Sequence, residues 1–475
     1  MKLNPGKTLM KFDRQLPLYN WLHPLKGQDL EISGFRESFG QVHPSPIRMR
    51  ALYFHIPFCE TICTFCTLNR GLGSEGEEAV EKYTQALIAE IRLKSRLDAV
   101  TAVPPTAIWF GGGTPSVLST DQIRRIGAAI HESFDLSRLE EFTVEMEVKS
   151  VTEDKCQAFR EIGANKARFG LQTFHPRYRE LFNITAELDQ TYAAAELFGR
   201  YFPHRSFDIL YGMHGQTFDD LSADLQQAVE MGTETIEFYP INHLATQNAL
   251  HTNYQRAGLR ALSYADKMGM SIYINSYLRA AGFRLHNGHG YVRPEDPQVD
   301  EYWISRRYSN KYHECYMGYH DDDLIGFGSS GISQSSDLTV MNDESRTGYV
   351  RGLLDSSDIK VKVTRADHVP YERGIVLRLP FHGEIRKDRI PWDRIDAETT
   401  AKLSRLCTEG LIEEHGDEFV ITELGWIWYV NMMYYLSPTA DQKILDDFIA
   451  LRSRNPVLVD GNTVMPSVKS SHPAA

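Results

Sequence analysis

The chain reads HIPFCETICTFC over residues 55–66, directly after an apolar β-rich run, and this stretch decides the fold. It places Cys59, Cys63 and Cys66 in a C-x3-C-x2-C pattern, so three of the six cysteines fall within eight positions. Six cysteines in 475 residues are too few for a disulfide scaffold, and such a group in a reducing compartment indicates metal binding. Thiolates are soft ligands that suit iron–sulfur clusters, so we expect these side chains to bind iron.

The number of cysteine ligands is informative in itself. A loop of this kind wraps one [4Fe-4S] cluster while supplying three thiolates rather than four, which leaves one iron open to another ligand. A zinc site is the alternative, because His55 could complete a set of four ligands. Zinc sites usually pair their ligands as CxxC with a second CxxC or an HxxxH, so the spacing favours the cluster.

Length and composition describe a globular chain with a large core. The chain has 475 residues, 42% of them apolar, which allows two or three domains, and an α/β barrel takes about 250 residues as one. Its formal net charge of -12 argues against a general binder of nucleic acid or anionic membranes. The sequence has neither a long uncharged apolar run nor a signal-peptide pattern, so a cytoplasmic location is expected. The isolated Cys156, Cys315 and Cys407 are expected to be small buried side chains.

From Ala51 onward, apolar β-rich runs alternate with segments of helical period, which is typical of βα units and a mostly parallel sheet. The predicted strands are 52–56, 106–110, 142–146, 167–171, 207–210, 235–239 and 271–275. The predicted helices are 77–97, 120–132, 153–162, 187–201, 218–231 and 248–268. The predicted fold class is therefore α/β, a partial (β/α)6-type barrel with a smaller C-terminal helical, winged-helix-like domain.

The alternation stops near Gly290, and we predict five segments along the chain. They are an N-terminal extension (1–50), the barrel (51–290), a connecting segment that completes the active site (291–357), a C-terminal domain (358–455) and a disordered tail (456–475). In the C-terminal domain, a helix at 397–410, a hairpin at 411–421 and a helix at 422–436 indicate a winged-helix-like module. Its acidic balance favours packing over DNA binding. The run Asp321-Asp322-Asp323 predicts a solvated turn before a strand.

Further stretches of the chain match one known family. The segment YFHIPFC at 53–59 resembles the cluster loop of the radical S-adenosylmethionine (SAM) superfamily, in its oxygen-independent coproporphyrinogen III oxidase-like (HemN-type) branch. Five later stretches are similar to sequence motifs of that branch, and they occur in the same order and at matching spacings. They are GGGTP at 111–115, VE at 144–145, FGLQTF at 169–174, FDILYG at 207–212 and IGFGSSGIS at 325–333.

The resemblance implies a [4Fe-4S] cluster on Cys59, Cys63 and Cys66, with SAM on its open iron. The SAM-binding residues that it implies are Tyr53, Phe65, Gly112, Gly113, Thr114, Glu145, Gln172, Asp208, Asn242 and Ile332. Phe65 and Ile332 resemble parts of a second SAM site, so two SAM molecules are expected. Glycines allow close backbone approach to SAM, and polar residues at the predicted strand ends would meet at one mouth of the barrel.

Three positions depart from the branch. Leu68 stands where coproporphyrinogen oxidases carry a cysteine, two positions after the last cluster ligand. Ile184 stands where the branch usually has an arginine, which could pair with the carboxylate of SAM. The word around Asn242 is only similar to that of the porphyrin enzymes. Leu68 moves the interpretation away from heme synthesis.

We therefore expect a class C-type radical SAM methyltransferase or cyclopropanase, which transfers a SAM-derived methyl or methylene group to an sp2 carbon of a small-molecule natural product. The alternatives are oxidative decarboxylation by an oxygen-independent coproporphyrinogen III dehydrogenase, and a heme-trafficking chaperone. The catalytic residue stays unknown, and His55, Glu147 and His243 are candidates for an acid or base only because they lie at predicted strand ends.

The resemblance also implies partners. They are a small-molecule substrate, a flavodoxin- or ferredoxin-type electron donor and, as a further partner to consider, a companion methyltransferase. No nucleic acid or membrane partner is expected.

Overall fold

One 13-stranded sheet runs through the computed structural model, which describes residues 28–32, 34–39, 47–66, 71–72, 76–241, 243, 247–298, 304, 307–308, 310–356, 358–365, 369–439, 441–442, 458–459 and 463–464. The strands in chain order are β1 (Gln28–Leu30), β2 (Met49–Ile56), β3 (Phe58–Cys59), β4 (Gly71–Leu72), β5 (Ala107–Gly112), β6 (Glu141–Met146), β7 (Lys166–Gln172), β8 (His204–Tyr211), β9 (Thr235–Pro240), β10 (Arg284–Leu285), β11 (Gly290–Val292), β12 (Asp322–Phe327), β13 (Ile332–Ser335), β14 (Leu338–Asn342), β15 (Val361–Arg365), β16 (Glu384–Arg386), β17 (Ile412–His415), β18 (Glu418–Ile421), β19 (Leu458–Val459) and β20 (Thr463–Val464). The order in the large sheet is β1-β15-β14-β13-β12-β2-β5-β6-β7-β8-β9-β11-β10.

The centre of this sheet is parallel. Strand β2 pairs with β5, and the parallel order continues through β6, β7, β8 and β9, while β12 pairs in parallel with the other side of β2. The strands that flank this centre on both sides pair antiparallel. The predicted mixed α/β fold with a large parallel sheet is confirmed, and six of the seven predicted strands lie in it.

Helices connect the parallel strands, as parallel pairing requires. The helices, including one short π-helical stretch at Gly374–Arg378, are Phe35–Phe39, Glu77–Lys94, Asp98–Thr101, Thr120–Ser133, Glu153–Glu161, Pro176–Leu181, Leu188–Tyr201, Phe218–Glu230, Asn248–Arg256, Tyr264–Ala280, Lys311–Tyr316, Arg346–Asp355, Val369–Arg373, Leu379–His382, Ala397–Thr408, Glu423–Ile427 and Tyr429–Leu436. Short 3-10 turns lie at Pro115–Val117, Lys387–Arg389 and Trp392–Arg394.

The central strands have two different faces, because successive side chains of a strand point to opposite sides. Leu52, Phe54 and Phe110 belong to the main apolar core that the helices cover. Their neighbours Tyr53 and Trp109 face the interior instead, where both rings contact Tyr312 of the helix Lys311–Tyr316, at centroid distances of 5.8 and 4.9 Å. The fold therefore has an apolar layer under the helices and a more polar interior.

The predicted strand at 271–275 is wrong, because this segment lies inside the helix Tyr264–Ala280. Met270, Ile274 and Leu278 are buried there and recur every four positions, which places them on one helix face. A short apolar run without flanking turn residues fits a buried helix face as well as a strand, and periodicity over five residues does not separate the two.

Two predicted helices are each divided in the structure. The predicted helix at 248–268 corresponds to Asn248–Arg256 and the start of a second helix at Tyr264, with Gly258 at a φ of 65° between them. A positive φ ends a right-handed helix, and glycine adopts it at little cost. The predicted helix at 422–436 is likewise interrupted, at Trp428.

The predicted solvated turn at Asp321-Asp322-Asp323 is wrong for two of its residues. Asp322 and Asp323 are 1% and 0% exposed. Arg50 donates from Nε and Nη2 to the two carboxylate oxygens of Asp323 at 2.8 and 2.6 Å, and Arg48 lies 2.9 Å from Asp322. These ion pairs join the first residues of β12 to those of β2, since a buried carboxylate needs a charged or hydrogen-bonding partner.

A second apolar core lies in the C-terminal part of the chain. There the predicted helix at 397–410 and hairpin at 411–421 are present as Ala397–Thr408 and strands β17 and β18. The five segment boundaries given above stay a prediction. Within the described residues, no helix combines the length and the hydropathy that crossing a membrane would require.

A buried ion pair lies within the first long helix, and its carboxylate is hydrogen-bonded to the loop after β12. Glu90 and Lys94 are both 0% exposed, with Lys94 Nζ 2.6 Å from Glu90 Oε1. The Glu90 carboxylate also accepts hydrogen bonds from Gly328 N at 2.7 Å, from Asn342 Nδ2 at 2.7 Å and from Tyr349 Oη at 2.5 Å. The remaining acceptor sites of the carboxylate are thus hydrogen-bonded. Through them the pair fixes the loop after β12, the end of β14 and the helix Arg346–Asp355 relative to the first long helix.

Removing one partner of this pair should destabilise the protein strongly. We expect Lys94→Met to lower the free energy of unfolding by about 3–5 kcal/mol, because it leaves a buried carboxylate without its counter-charge. The double variant Glu90→Gln/Lys94→Met should lose less than the two single variants added together. Urea unfolding under anaerobic conditions measures these differences.

The same helix offers a matched control. Lys82 and Glu78 form an i,i+4 pair at 2.7 Å, but their side chains are 57% and 82% exposed. Lys82→Met should change the free energy of unfolding by no more than about 0.5 kcal/mol, since exposed pairs contribute little. Equal effects of Lys82→Met and Lys94→Met would contradict the role given to burial.

Candidate active site

The cysteine loop begins where β2 ends, at the edge of the sheet where the parallel strands have their carboxyl ends. Ile56 of β2 pairs in register with Gly112 of β5, so the loop from Cys59 onward starts beside the glycine stretch. Gly113 N donates to Ile56 O at 2.8 Å, and Gly71 N donates to Pro57 O at 2.9 Å. Active sites of parallel α/β folds lie at this end of the strands.

Backbone and side-chain hydrogen bonds fasten this loop to the segment that follows β7. Thr64 donates from its backbone N to Phe182 O at 3.0 Å and from Oγ1 to Leu181 O at 2.8 Å. Asn183 Nδ2 donates to Ile62 O at 2.9 Å. The loop is therefore held between β2 and β7, which lie three strands apart in the sheet.

A cavity of about 270 Å³ opens beside the loop. Three sets of predicted residues line it together: the cysteines Cys59, Cys63 and Cys66, the loop residues Phe65, Gly112, Gly113 and Thr114, and the polar residues Glu145, Gln172 and Asp208. These residues come from five strands and two loops, and the carboxyl ends of parallel strands bring them to one place. That they bind SAM stays a prediction.

Three predicted residues are not part of the described cavity lining. Tyr53 lies in the interior of the sheet, with its Oη 3.1 Å from His55 Nδ1. Ile332 begins β13, one strand beyond β12, and is half-buried. Asn242 lies outside the described residues, as does Leu68.

Two glycines of the stretch 111–115 are required by geometry. Gly112 has a φ of 107°, which a residue with a β-carbon rarely adopts. A β-carbon at Gly113 would lie 2.6 Å from Phe58 O and 2.8 Å from Phe58 N, closer than any van der Waals contact. The two segments that border the cavity therefore pack backbone against backbone.

Burial sets the charge state of Glu145. Trp109 Nε1 donates to Glu145 Oε1 at 3.2 Å. Burial raises the pKa of Glu145 to about 7, against the opposing effect of the Arg168 guanidinium, while the Asp208 carboxylate adds to the rise. The carboxyl group thus changes charge near neutral pH inside the cavity.

Sequence reasoning missed Arg168, which lies in the middle of β7 and lines the cavity. Its Nη2 lies 2.6 Å from Asp208 Oδ1, and the same nitrogen donates to Tyr239 Oη. A signal was present in the sequence, because an arginine inside a strand buried on both faces needs a specific acidic partner.

Arg179 is a second cation at the cavity that the sequence analysis did not identify. Its Nη1 donates to Thr173 O at 3.0 Å and to Leu171 O at 3.4 Å, so it holds the turn after β7. Ile184, the position without the expected arginine, also lines the cavity. The positive charge at this site therefore comes from other positions than the resemblance implied.

The three acid or base candidates differ in their surroundings. Glu147 lines the cavity, and burial raises its pKa, with the nearby Glu60 carboxylate adding to the rise. His243 stacks on His214 with ring centroids 4.1 Å apart, and burial keeps the pKa of His243 well below its usual range. His55 lies near Tyr53 as described above. None of the three is assigned a catalytic role by this geometry.

Comparison with known proteins adds the family. Residues 53–228 match the sequence model of the Radical SAM superfamily. The oxygen-independent coproporphyrinogen III oxidase of Salmonella typhimurium is 26% identical over 422 residues, which cover 85% of this chain and 88% of that protein. The anaerobilin synthase of Escherichia coli O157:H7 is 26% identical over 395 residues, or 82% and 84% of the two chains.

A solved structure shares the fold. The coproporphyrinogen III oxidase (HemN) from Escherichia coli, described as a radical SAM enzyme, superposes with a TM-score of 0.72 at 22% sequence identity. The match covers 86% of this chain and 94% of that one. Residues 53–228 thus match a radical SAM domain, and relatives that align with most of the chain include oxidases of the HemN type.

The cofactors of this superfamily are a [4Fe-4S] cluster and SAM, and the cavity fits both. Three thiols on one loop would supply the cluster ligands, and acidic and amide side chains beside them suit the polar groups of SAM. Within the described residues, no three His, Cys, Asp or Glu side chains converge as a single metal ion would require.

The expectation of a class C methyltransferase or cyclopropanase is wrong. It depended chiefly on Leu68, one position in the cluster loop. Relatives that match this chain are named oxygen-independent coproporphyrinogen III oxidases, including proteins of Cereibacter sphaeroides and Salmonella typhimurium at 28% and 26% identity. Agreement over most of the chain outweighs one departure from a motif.

The three cysteines should be needed for iron. We expect Cys63→Ala to lose most of the iron of about four atoms per chain that one cubane cluster holds, together with its visible absorption. Cys407→Ala is the matched control, because Cys407 lies half-buried in the C-terminal helix Ala397–Thr408. Iron analysis after anaerobic reconstitution measures both variants, and full iron in Cys63→Ala would contradict the assignment.

Gly113→Ala should disturb the cluster loop, because its β-carbon would overlap Phe58 O. We expect lower iron retention and weaker SAM binding than in the wild type. In the control Gly269→Ala, the β-carbon meets the far end of the Phe218 ring at 3.2 Å, and that ring is 43% exposed and can move. Anaerobic iron content and SAM dissociation constants compare the two, and equal values for both variants would refute the tight approach.

Proposed function

We propose that this chain is a radical SAM enzyme that oxidatively decarboxylates propionate side chains of a porphyrinogen, with coproporphyrinogen III as the substrate to test first. The observation that carries the proposal is the extent of the similarity. The Salmonella typhimurium oxidase aligns with 85% of the chain, well beyond the radical SAM match at residues 53–228. The similarity therefore includes the C-terminal part as well as the cluster domain.

The chemistry divides between cofactors and protein. When bound, the cluster and SAM supply an electron and a 5′-deoxyadenosyl radical that removes a hydrogen atom from the propionate carbon next to the ring. The carbon–carbon bond to the carboxylate then breaks, carbon dioxide leaves, and the remaining electron passes to a one-electron acceptor, for which we propose an oxidised ferredoxin-type iron–sulfur protein, so that a vinyl group is left. A flavodoxin- or ferredoxin-type protein is the proposed reductant for the first electron.

The protein holds the reactants in place. We assign Cys59, Cys63 and Cys66 to the cluster, because all three thiols line the cavity. We assign Glu145 and Asp208 to binding of the ammonium and hydroxyl groups of SAM, because these groups donate hydrogen bonds and carboxylates accept them. The same SAM molecule is also assigned contacts with the backbone of Gly112 and Gly113 and with Tyr53 and Thr114.

A second SAM molecule belongs to the proposal. Phe65 lines the cavity from inside the cluster loop. Phe65 and Ile332 are the proposed contacts of the second molecule, and Gln172 at the end of β7 is assigned with Glu145 and Asp208 to the first.

Anaerobic turnover should test this function directly. With coproporphyrinogen III, SAM and a reductant, we expect 5′-deoxyadenosine, carbon dioxide, and a product lighter by carbon dioxide and two hydrogen atoms for each propionate converted. The Cys63→Ala variant should form none of these products. Mass spectrometry of the porphyrin fraction provides the measurement.

Two outcomes would refute the proposal. Formation of 5′-deoxyadenosine without any mass loss from the porphyrinogen would show that radical formation occurs but that the substrate is wrong. Tight heme binding without SAM cleavage would instead favour the chaperone alternative. Heme titration followed by the Soret band distinguishes that case.

A further inference from the structure

Arg168 occupies an unusual position for a charged residue. It lies at the third residue of the parallel strand β7, and its side chain is 6% exposed. Its guanidinium faces β8, where Nη2 lies 2.6 Å from Asp208 Oδ1 and Nε donates to Asp208 Oδ2 at 3.4 Å. The guanidinium of Arg168 thus lies against both oxygens of the Asp208 carboxylate, through one close ion contact and one long hydrogen bond.

Three carboxylates lie close together around Arg168, on strands β6, β8 and β9. Asp208 of β8 pairs in register with Glu237 of β9, so two acidic side chains stand directly opposite each other. Like charges in this position repel. Arg168 lies between them, with its Nη1 3.8 Å from Glu237 Oε1. Glu145 of β6 lies next to Arg168 in register on the other side.

The imidazoles nearby do not supply a compensating charge. His289 Nε2 lies 3.3 Å from Glu237 Oε2, and His286 Nε2 lies 3.9 Å from Glu237 Oε1. Burial keeps the pKa of His286 and His289 below its usual range, and the same holds for His313. These rings are therefore neutral at pH 7, and the positive charge beside Asp208 is that of Arg168.

We propose that Arg168 is a positioning residue that keeps the Asp208 carboxylate ionised and directed into the cavity, where it holds SAM. Both side chains line the cavity, so the pair is formed at its wall. The inference rests on the assignment of Asp208 to SAM in the proposed function. It also explains how this chain places an arginine at the site although position 184 is isoleucine.

The charge of Asp208 depends on its partner. Burial raises the pKa of Asp208 to about 6, while Arg168 opposes the rise and Glu237 adds to it. Removing the guanidinium raises this pKa further, so Asp208 becomes protonated near pH 7 and loses its acceptor oxygens for SAM. Binding in such a variant is weak at neutral pH and recovers as the pH rises. A purely structural role would weaken binding equally at every pH.

The test is the pH dependence of SAM affinity. The Arg168→Gln variant, reconstituted with its cluster, should bind SAM about tenfold more weakly than the wild type at pH 7, with the midpoint of the pH profile about two units higher. Arg168→Lys keeps the charge and should restore most of the affinity. Asp208→Asn should bind weakly and keep only the pH dependence that comes from Glu145, and adding Arg168→Gln to it should lower the affinity less than it does in the wild type.

Anaerobic equilibrium binding of SAM from pH 6 to 9 measures these profiles, with iron content and thermal unfolding as controls for intact protein. An unshifted midpoint in Arg168→Gln would overturn the proposal. An additive loss in the double variant would overturn it as well. Arg168→Lys and Asp208→Asn keep the test decisive if Arg168→Gln does not fold, because failure of Arg168→Lys to bind SAM at neutral pH contradicts the electrostatic role.

This readout is independent of the proposed substrate. SAM affinity is measured without porphyrinogen, so a protein that fails to decarboxylate coproporphyrinogen III still shows whether Arg168 acts through Asp208. Conversely, decarboxylation with an unshifted pH profile refutes the role of Arg168 alone.

Discussion

The parallel pairing of β2 with β5 on one side and β12 on the other is the constraint on which the site depends. Parallel strands have their carboxyl ends at the same edge, so the cysteine loop after β2, the glycines after β5 and the loop after β12 meet there. Gly113 packs against Phe58 without space for a β-carbon, and the buried Glu90 fixes the loop after β12 through Gly328 N. Each contact is possible only because the strands run in register.

The polar interior follows from the same architecture. Helices cover one face of the parallel strands, so apolar residues such as Phe54 and Phe110 lie there, and the other face encloses space for ligands. Carboxylates suited to SAM must then be buried, and buried carboxylates lose their charge unless a cation stands beside them. Arg168 is the cation beside Asp208. Glu145 lies farther from the guanidinium, and burial raises its pKa to about 7. Ligand binding and charge balance are therefore parts of one arrangement.

The correction of the expected reaction shows how far one motif position can be trusted. Leu68 directed the interpretation toward methyl transfer, yet several relatives, among them one that aligns with 85% of the chain, are named oxygen-independent coproporphyrinogen III oxidases. The cluster loop and strand-end residues define how a radical is made, and this chemistry is shared across the superfamily. These motifs therefore do not identify the substrate.

The sequence by itself determined the group of three cysteines, six of the parallel strands and seven of the ten predicted SAM-binding positions that the cavity brings together. These features are local, because ligand spacing, apolar periodicity and strand ends are read within short stretches. Only the tertiary structure decided that residues 271–275 are helical, that Asp323 is buried against Arg50, and that Arg168 forms an ion pair with Asp208. Each of these depends on which residue far along the chain becomes a neighbour, since burial and charge pairing exist only after the strands have assembled.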